Sequence, residues 1–377
     1  MVMAGDKSHK SIRWLLKAML ANQTPKVLGQ GAFGVVKAVK ISGSGMDDDF
    51  VAVKTLKSDA SPTETICFQR EKEILQKLEH ENIVSYRGSC SPMVMKPTTK
   101  AGVQEECIVM ELLKGGTLRS LLGQQMQSST GRLYSDVDAC RWSLQVASAI
   151  KYLHGLEPKI IFRDLSAANV LLTATKAGQA DAKLIDFGLA KETTRERISP
   201  EIDGCDTRLQ AGACNQLDAM RFTAETGNYM YMSPEVTTHQ SYDEKCDIFA
   251  LGCLMYDLYT RQLRHVNLFA NIPLGASDAD VLGLYAIKVS EGYRPKLTDT
   301  IPEHMGALIA ACWAQDPLDR PTASEIELSL QIQLAALADQ SARMTRMSSL
   351  ERFKSMLSRS SSSNASMTSS VSSIASY

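Results

Sequence analysis

The sequence predicts an α+β chain of two lobes, a small antiparallel β-sheet lobe with one key helix followed by a larger, mainly helical lobe. Three observations predict it. From Val27 to Lys54, apolar and β-branched residues are punctuated by glycine, which is a strand pattern. Next comes a single helix with a start signal and a glutamate on its apolar face. Beyond residue 113, apolar residues recur at three- and four-residue steps in longer segments, which is a helix pattern.

In chain order, Val27-Leu28, Val35 to Ile41 and Phe50 to Thr55 read as strands of one small sheet. Ser61-Pro62-Thr63-Glu64 has the form of a capping box with proline at the first helical position, and Cys67, Glu71, Leu75 and Leu78 follow at helical spacing. Glu71 therefore falls on the apolar stripe, where a buried carboxylate is costly unless a cation meets it. After Ile83-Val84 and an irregular insertion from Ser91 to about Gln104, Ile108-Val109-Met110 reads as a strand ending at Glu111 and the turn Lys114-Gly115-Gly116. Helices are expected around Trp142, Val146, Ile150 and Leu153, then over Asp247 to Tyr259, Met305 to Trp313 and Ser324 to Leu337. The chain divides into an N-terminal extension (1–23), a main domain (24–340, lobes meeting near 113) and a serine-rich tail (341–377) too polar to offset its chain entropy.

Composition excludes several classes. Of 377 residues, 41 are Lys or Arg and 42 are Asp or Glu, so the net charge of -1 gives no overall pull toward nucleic acid or an anionic membrane. The nine cysteines show no C-x-x-C pair and no regular spacing, which argues against a disulfide framework or zinc site and for a cytoplasmic or nuclear setting. No window offers the ~20 apolar residues of a membrane span, and Met1 to Leu20 lacks a signal-peptide core, so a soluble chain is expected. Lys7 to Lys26 is basic without acids and reads as a short helix packed on the first lobe, with a targeting or membrane-surface helix as the alternative.

Gly29-Gln30-Gly31-Ala32-Phe33-Gly34-Val35-Val36 is a G-x-G-x-x-G-x-V run. Strands flank it on both sides, which suits a flap closing over phosphates, whereas a dinucleotide fingerprint opens directly into a helix. Val51-Ala52-Val53-Lys54 ends a strand on a lysine, the cation that Glu71 needs. Phe162-Arg163-Asp164-Leu165-Ser166-Ala167-Ala168-Asn169 and, later, Asp186-Phe187-Gly188 set three oxygen-bearing side chains beside apolar strands, which makes sense as a site for a hard cation.

At these residues, in order from Gly29 to Arg320, the sequence resembles the eukaryotic protein kinase family, closest in look to the tyrosine-kinase-like serine/threonine group. Ser233-Pro234-Glu235, Asp247-Ile248-Phe249-Ala250-Leu251-Gly252, Cys312-Trp313 and Arg320-Pro321 extend the likeness. The resemblance implies a two-lobed protein kinase fold binding ATP and Mg²⁺ in the cleft, with γ-phosphoryl transfer to a protein hydroxyl. It implies that Asp164 is the base, that Asn169 and Asp186 hold the ion, that Lys54 positions ATP and that Glu71 orients Lys54. Gly29, Gly31 and Gly34 would cover the phosphates. Leu28, Val36, Ala52 and Leu171 would line the adenine pocket, with Met110 as gatekeeper and the backbone of Glu111 to Leu113 as hinge. It further implies a buried Glu235 to Arg320 ion pair and an Asp247 that braces the catalytic loop.

Departures from the family pattern bear on activity and substrate. Phe162 replaces the usual histidine and is expected to pack with Phe187 and Leu75, at most lowering activity; a pseudokinase scaffold is the corresponding alternative. Ser166 and Ala168 occupy the places where serine/threonine kinases carry lysine and tyrosine kinases arginine. Ala167-Ala168-Asn169 looks like a tyrosine-kinase loop, whereas Gly227 to Glu235 looks like the tyrosine-kinase-like group, and the balance favours serine/threonine over tyrosine or dual specificity. Thr193, Thr194, Thr207, Thr223 and Thr226 lie in a long activation segment, with Thr223 or Thr226 the candidate acceptor of a phosphate facing Arg163. In the tail, Arg346, Arg352 and Arg359 each precede a serine by three residues, a spacing suited to basophilic kinases. A dinucleotide-dependent oxidoreductase is disfavoured by Lys54, and a small-molecule kinase by Ser233-Pro234-Glu235. Protein substrate and oligomeric state are not legible.

Overall fold

A computed structural model describes residues 26–30, 34–41, 49–57, 60–90, 93–94, 103–104, 106–194, 197–198, 228–263, 278–340 and 343. The glycine and β-branched run folds as expected into β1 (Lys26–Gln30), β2 (Gly34–Ile41) and β3 (Asp49–Leu56). These join β4 (Tyr86–Cys90) and β7 (Cys107–Glu111) in one antiparallel sheet of order β1-β2-β3-β7-β4. Val36 pairs with Lys54, and Ala52 with Met110, so the two-residue period of a strand sets all four side chains on one face.

The predicted helix is α1 (Pro62–Lys77), and its capping box forms as read: Ser61 Oγ accepts from Glu64 N while Glu64 Oε2 accepts from Ser61 N. The insertion read as irregular carries a small hairpin, β5 (Met93–Val94) with β6 (Val103–Gln104). Strands of two residues leave no period to detect. Among the described residues, Cys67, Cys140, Cys246, Cys253 and Cys312 are buried and form no disulfide. Cys107, whose register partner is Cys90, is disulfide-bonded, a crosslink that scattered cysteines gave no reason to expect.

The second lobe holds α2 (Leu118–Gln127), α3 (Asp136–His154), α4 (Lys245–Thr260), α5 (Asp278–Ser290), α6 (Glu303–Cys312) and a helix over residues 323–340. Four of these match sequence expectation; α2 and α5 were missed, and α2 buries only Leu118 and Leu122. Four short strands, β8 (Lys159–Ile161), β9 (Val170–Leu172), β10 (Ala182–Leu184) and β11 (Lys191–Thr193), pair as β8 with β11 and β9 with β10. Every residue of α4 from Cys246 to Tyr259 is buried, because this helix is apolar on all sides and runs through the core. A Cβ on Gly252 would overlap Cys312 of α6, so glycine sets how closely those helices approach.

Arg320 and Glu235 form the expected buried pair, with Nη1 and Nη2 donating to the two carboxylate oxygens at 2.7 and 2.9 Å. Arg320 also lies over the Phe249 ring and donates to the carbonyls of Ala314 and Lys245. Removing one partner of a buried pair strands the other charge, so Arg320→Ala should destabilise the fold by about 3–5 kcal/mol. Urea unfolding reads this directly, and an unchanged midpoint would show that the pair contributes nothing.

Candidate active site

The helical period that puts Glu71 on the apolar face of α1 delivers its carboxylate to the sheet, where Lys54 projects from β3. Lys54 Nζ donates to both Glu71 oxygens, at 2.8 and 2.7 Å, and to Asp186 Oδ1 at 3.0 Å. The Lys54 and Glu71 side chains are 8% and 1% exposed, whereas Asp186 keeps 34%, so the cluster opens to solvent only on the Asp186 side. Burial alone would lower the Lys54 pKa, but the facing Asp186 and Glu71 carboxylates outweigh it and hold Lys54 above the usual lysine value. Burial pushes Glu71 up to about 7, opposed by Lys54 and reinforced by the Asp186 charge.

Asp186 adopts a left-handed backbone, φ 63°, that few non-glycine residues tolerate, and its Oδ1 also accepts from Gly188 N. It follows β10, whose neighbour β9 follows Asn169, and Ile185 N donates to Asn169 O at 3.0 Å. The two expected ion ligands thus leave adjacent strand ends. Asn169 Nδ2 donates to Asp164 O and Oδ2, at 2.8 and 2.7 Å, which fixes the Asp164 carboxylate and turns the amide oxygen of Asn169 away from it. A carboxylate and an amide oxygen on adjacent chain ends fit a hard divalent cation. Among the described residues no group of three or more His, Cys, Asp or Glu is placed to hold a metal, so such an ion would rely on this mixed pair and on the phosphates.

Asp247, 1% exposed in the first turn of α4, braces this loop as expected: Oδ2 accepts from Phe162 N at 2.8 Å and Oδ1 from Arg163 N at 2.7 Å. That grip holds Arg163 at φ 67°, a backbone strain that persists only when its surroundings over-determine it. His154 Nε2 lies 2.9 Å from the same Asp247 carboxylate, a partner with no sequence signal because α3 and α4 meet only in the fold. Phe162 is fully buried, edge-on to Phe187 at 5.1 Å between ring centroids and in the same core as Leu75, so phenylalanine packs where the family has histidine.

The remaining expected residues differ in burial. Ala52 and Met110 are buried, Val36, Leu171, Glu111 and Leu113 half-buried, and Leu28 exposed. A Cβ on Gly34 would overlap the Thr55 carbonyl, so glycine is required there, while Gly29 lies in open space and Gly31 falls outside the described residues. Lys183 Nζ and Ser85 N both donate to Glu111 Oε1, tying the expected hinge residue to both lobes. Thr207, Thr223, Thr226, the basic N-terminal stretch and the tail serines lie outside the described residues; Thr193 is buried and Thr194 exposed. The Arg163 guanidinium, read as a cation for a phosphate, donates to Leu189 O at 2.6 Å and to the Tyr242 hydroxyl at 2.8 Å.

A family model describing the protein kinase domain matches residues 23–329. Human mitogen-activated protein kinase kinase kinase 7 is 29% identical over 309 residues, covering 81% of this chain and 40% of that protein. The bovine protein of that name is 29% identical over 309 residues, covering 81% of this chain and 42% of that protein. The dual specificity protein kinase splA of Dictyostelium discoideum is 27% identical over 317 residues, covering 81% of this chain and 11% of that protein. The chain therefore spans less than half the length of these relatives.

Because folding raises the Glu71 pKa from 4.5 to about 7, the folded state holds a proton that the unfolded chain has released between those values. Stability relative to Glu71→Gln should therefore fall as pH rises from 4.5 to 7 and then level off. Thermal melting of both proteins across that range checks it; parallel curves would contradict it.

Proposed function

The chain belongs to the protein kinase family, and from that premise we propose that it transfers the γ-phosphoryl group of ATP to a serine or threonine hydroxyl of a protein substrate. The observation that carries this reading is the Lys54 ammonium held between Glu71 and Asp186 at the open side of a buried cluster. An ammonium oriented by one buried carboxylate, beside a second that is open to solvent, is arranged to grip the α- and β-phosphates.

Asp164 would accept the substrate hydroxyl proton, its carboxylate oriented by the Asn169 amide. Asn169 and Asp186 would hold Mg²⁺, which in this chemistry neutralises charge on the transferring phosphoryl group. Ala52, Met110 and the Glu111 to Leu113 backbone would seat the adenine, and Phe162 would keep the loop in register by packing in place of histidine. Catalysis is then positional and electrostatic, with turnover on the order of 1–100 per second once activated. The stretch before Ser233-Pro234-Glu235 and two further relatives from Dictyostelium discoideum, each named a probable serine/threonine-protein kinase, support serine/threonine, while Ala167-Ala168-Asn169 and the dual-specificity relative support tyrosine as a second acceptor. A reducing cytoplasmic or nuclear setting is supported by five buried cysteines that form no disulfide, while the Cys107 crosslink points the other way.

Radiolabelled transfer from ATP with Mg²⁺ to a mixed protein substrate tests the proposal, with Asp164→Asn expected to lower kcat about 10²–10⁴-fold as loss of a general base does. Label on phosphoserine and phosphothreonine supports it. Label confined to phosphotyrosine would overturn the acceptor class, and no transfer by wild type would overturn the activity.

A further inference from the structure

Helix α1 carries the carboxylate that orients Lys54, so whatever holds α1 in place also sets Lys54. The Lys54 contact lies on its apolar face. On another face, Gln69 and Lys72 stand three residues apart and so are neighbours on the helix surface. Lys72 Nζ donates to Glu106 Oε2 at 2.9 Å, and Gln69 Nε2 donates to the same oxygen. Lys72 is 20% exposed and Glu106 33%, so this pair is better shielded than the Lys77 to Glu192 pair at the helix end, where Lys77 is 59% exposed. The hydrogen bond from Lys72 holds the Glu106 carboxyl below its ordinary pKa, and Gln69 adds to it, so Glu106 stays charged.

Glu106 follows the β5/β6 hairpin and immediately precedes β7, whose far end is Met110 and the Glu111 hinge. One strand thus carries the α1 anchor at its start and the adenine-facing backbone at its end. Glu71 and Lys72 are consecutive, so their side chains diverge by about 100° around the helix, and a carboxylate fixing Lys72 also fixes the rotation of α1 on which the Glu71 contact depends.

We propose that Glu106 is a positioning residue, which holds α1 through Gln69 and Lys72 so that Glu71 reaches Lys54. Its effect on turnover rests on the phosphoryl-transfer reading; its effect on the helix does not.

Two variants and two readouts test it. Glu106→Lys places like charges against Lys72 and is expected to lower kcat/KM for ATP about fivefold, the scale of one partly shielded ion pair made repulsive, with the protein-substrate KM unchanged. Hydrogen exchange of the Pro62–Lys77 amides should quicken by a similar factor. The charge-swapped double variant Glu106→Lys, Lys72→Glu should restore both readouts to near wild type, which a merely structural defect would not do. Wild-type kinetics and exchange in Glu106→Lys would overturn the proposal, as would a double variant no better than the single one. Where Glu106→Lys fails to fold, Glu106→Gln replaces it, and unchanged exchange there is equally contrary. Should wild type transfer no phosphate, the proposed function fails, and exchange alone still decides the role of Glu106.

Discussion

The site depends on one constraint: an ammonium buried to 8% exposure must be met by negative charge from elsewhere in the chain. Lys54 sits in a strand whose neighbours Val51, Ala52 and Val53 are buried, so it cannot reach bulk water without leaving the sheet. Burying an unpaired charge is costly, and both Glu71 and Asp186 meet this one. Glu71 comes from a helix whose start is set by Ser61 and Glu64, and Asp186 from the end of β10 in the other lobe. Helix, sheet and the loop after β10 are therefore tied through a single nitrogen.

A second buried carboxylate organises the loop below. Asp247 accepts two consecutive backbone N–H groups, from Phe162 and Arg163, and so sets where Asp164 begins. Its place in the first turn of α4, a helix buried from Cys246 to Tyr259, anchors it in the core. Arg320, itself paired with Glu235, lies over the Phe249 ring of the same helix and donates to its Lys245 carbonyl. The strain at Arg163 and Asp186, both left-handed, is located where the expected base and ion ligand are held, and the packed surroundings stabilise it.

Much of this was legible from residues. The capping box and the helical spacing place Glu71 on the apolar face, and its need for a cation points to Lys54. The order of Gly29 to Gly34, Lys54, Asp164, Asn169 and Asp186 carried the fold, and the sheet lobe and helical lobe appear as read. What sequence did not show are contacts with no local pattern. His154 against Asp247, Lys183 against Glu111 and Tyr242 against Arg163 join residues 93, 72 and 79 positions apart. Neither charge nor spacing marks such pairs. The β5/β6 hairpin was missed because its strands are two residues long, and α2 because its buried face reduces to two leucines.

The most direct test of the account is a double-mutant cycle on ATP affinity with Mg²⁺, using Lys54→Met, Glu71→Gln and the double variant. If Glu71 acts by orienting Lys54, removing both loses no more affinity than removing Lys54 alone. Losses that add in free energy, with the double variant weaker than wild type by the product of the two single fold-effects, would show that the residues act independently and would contradict the account.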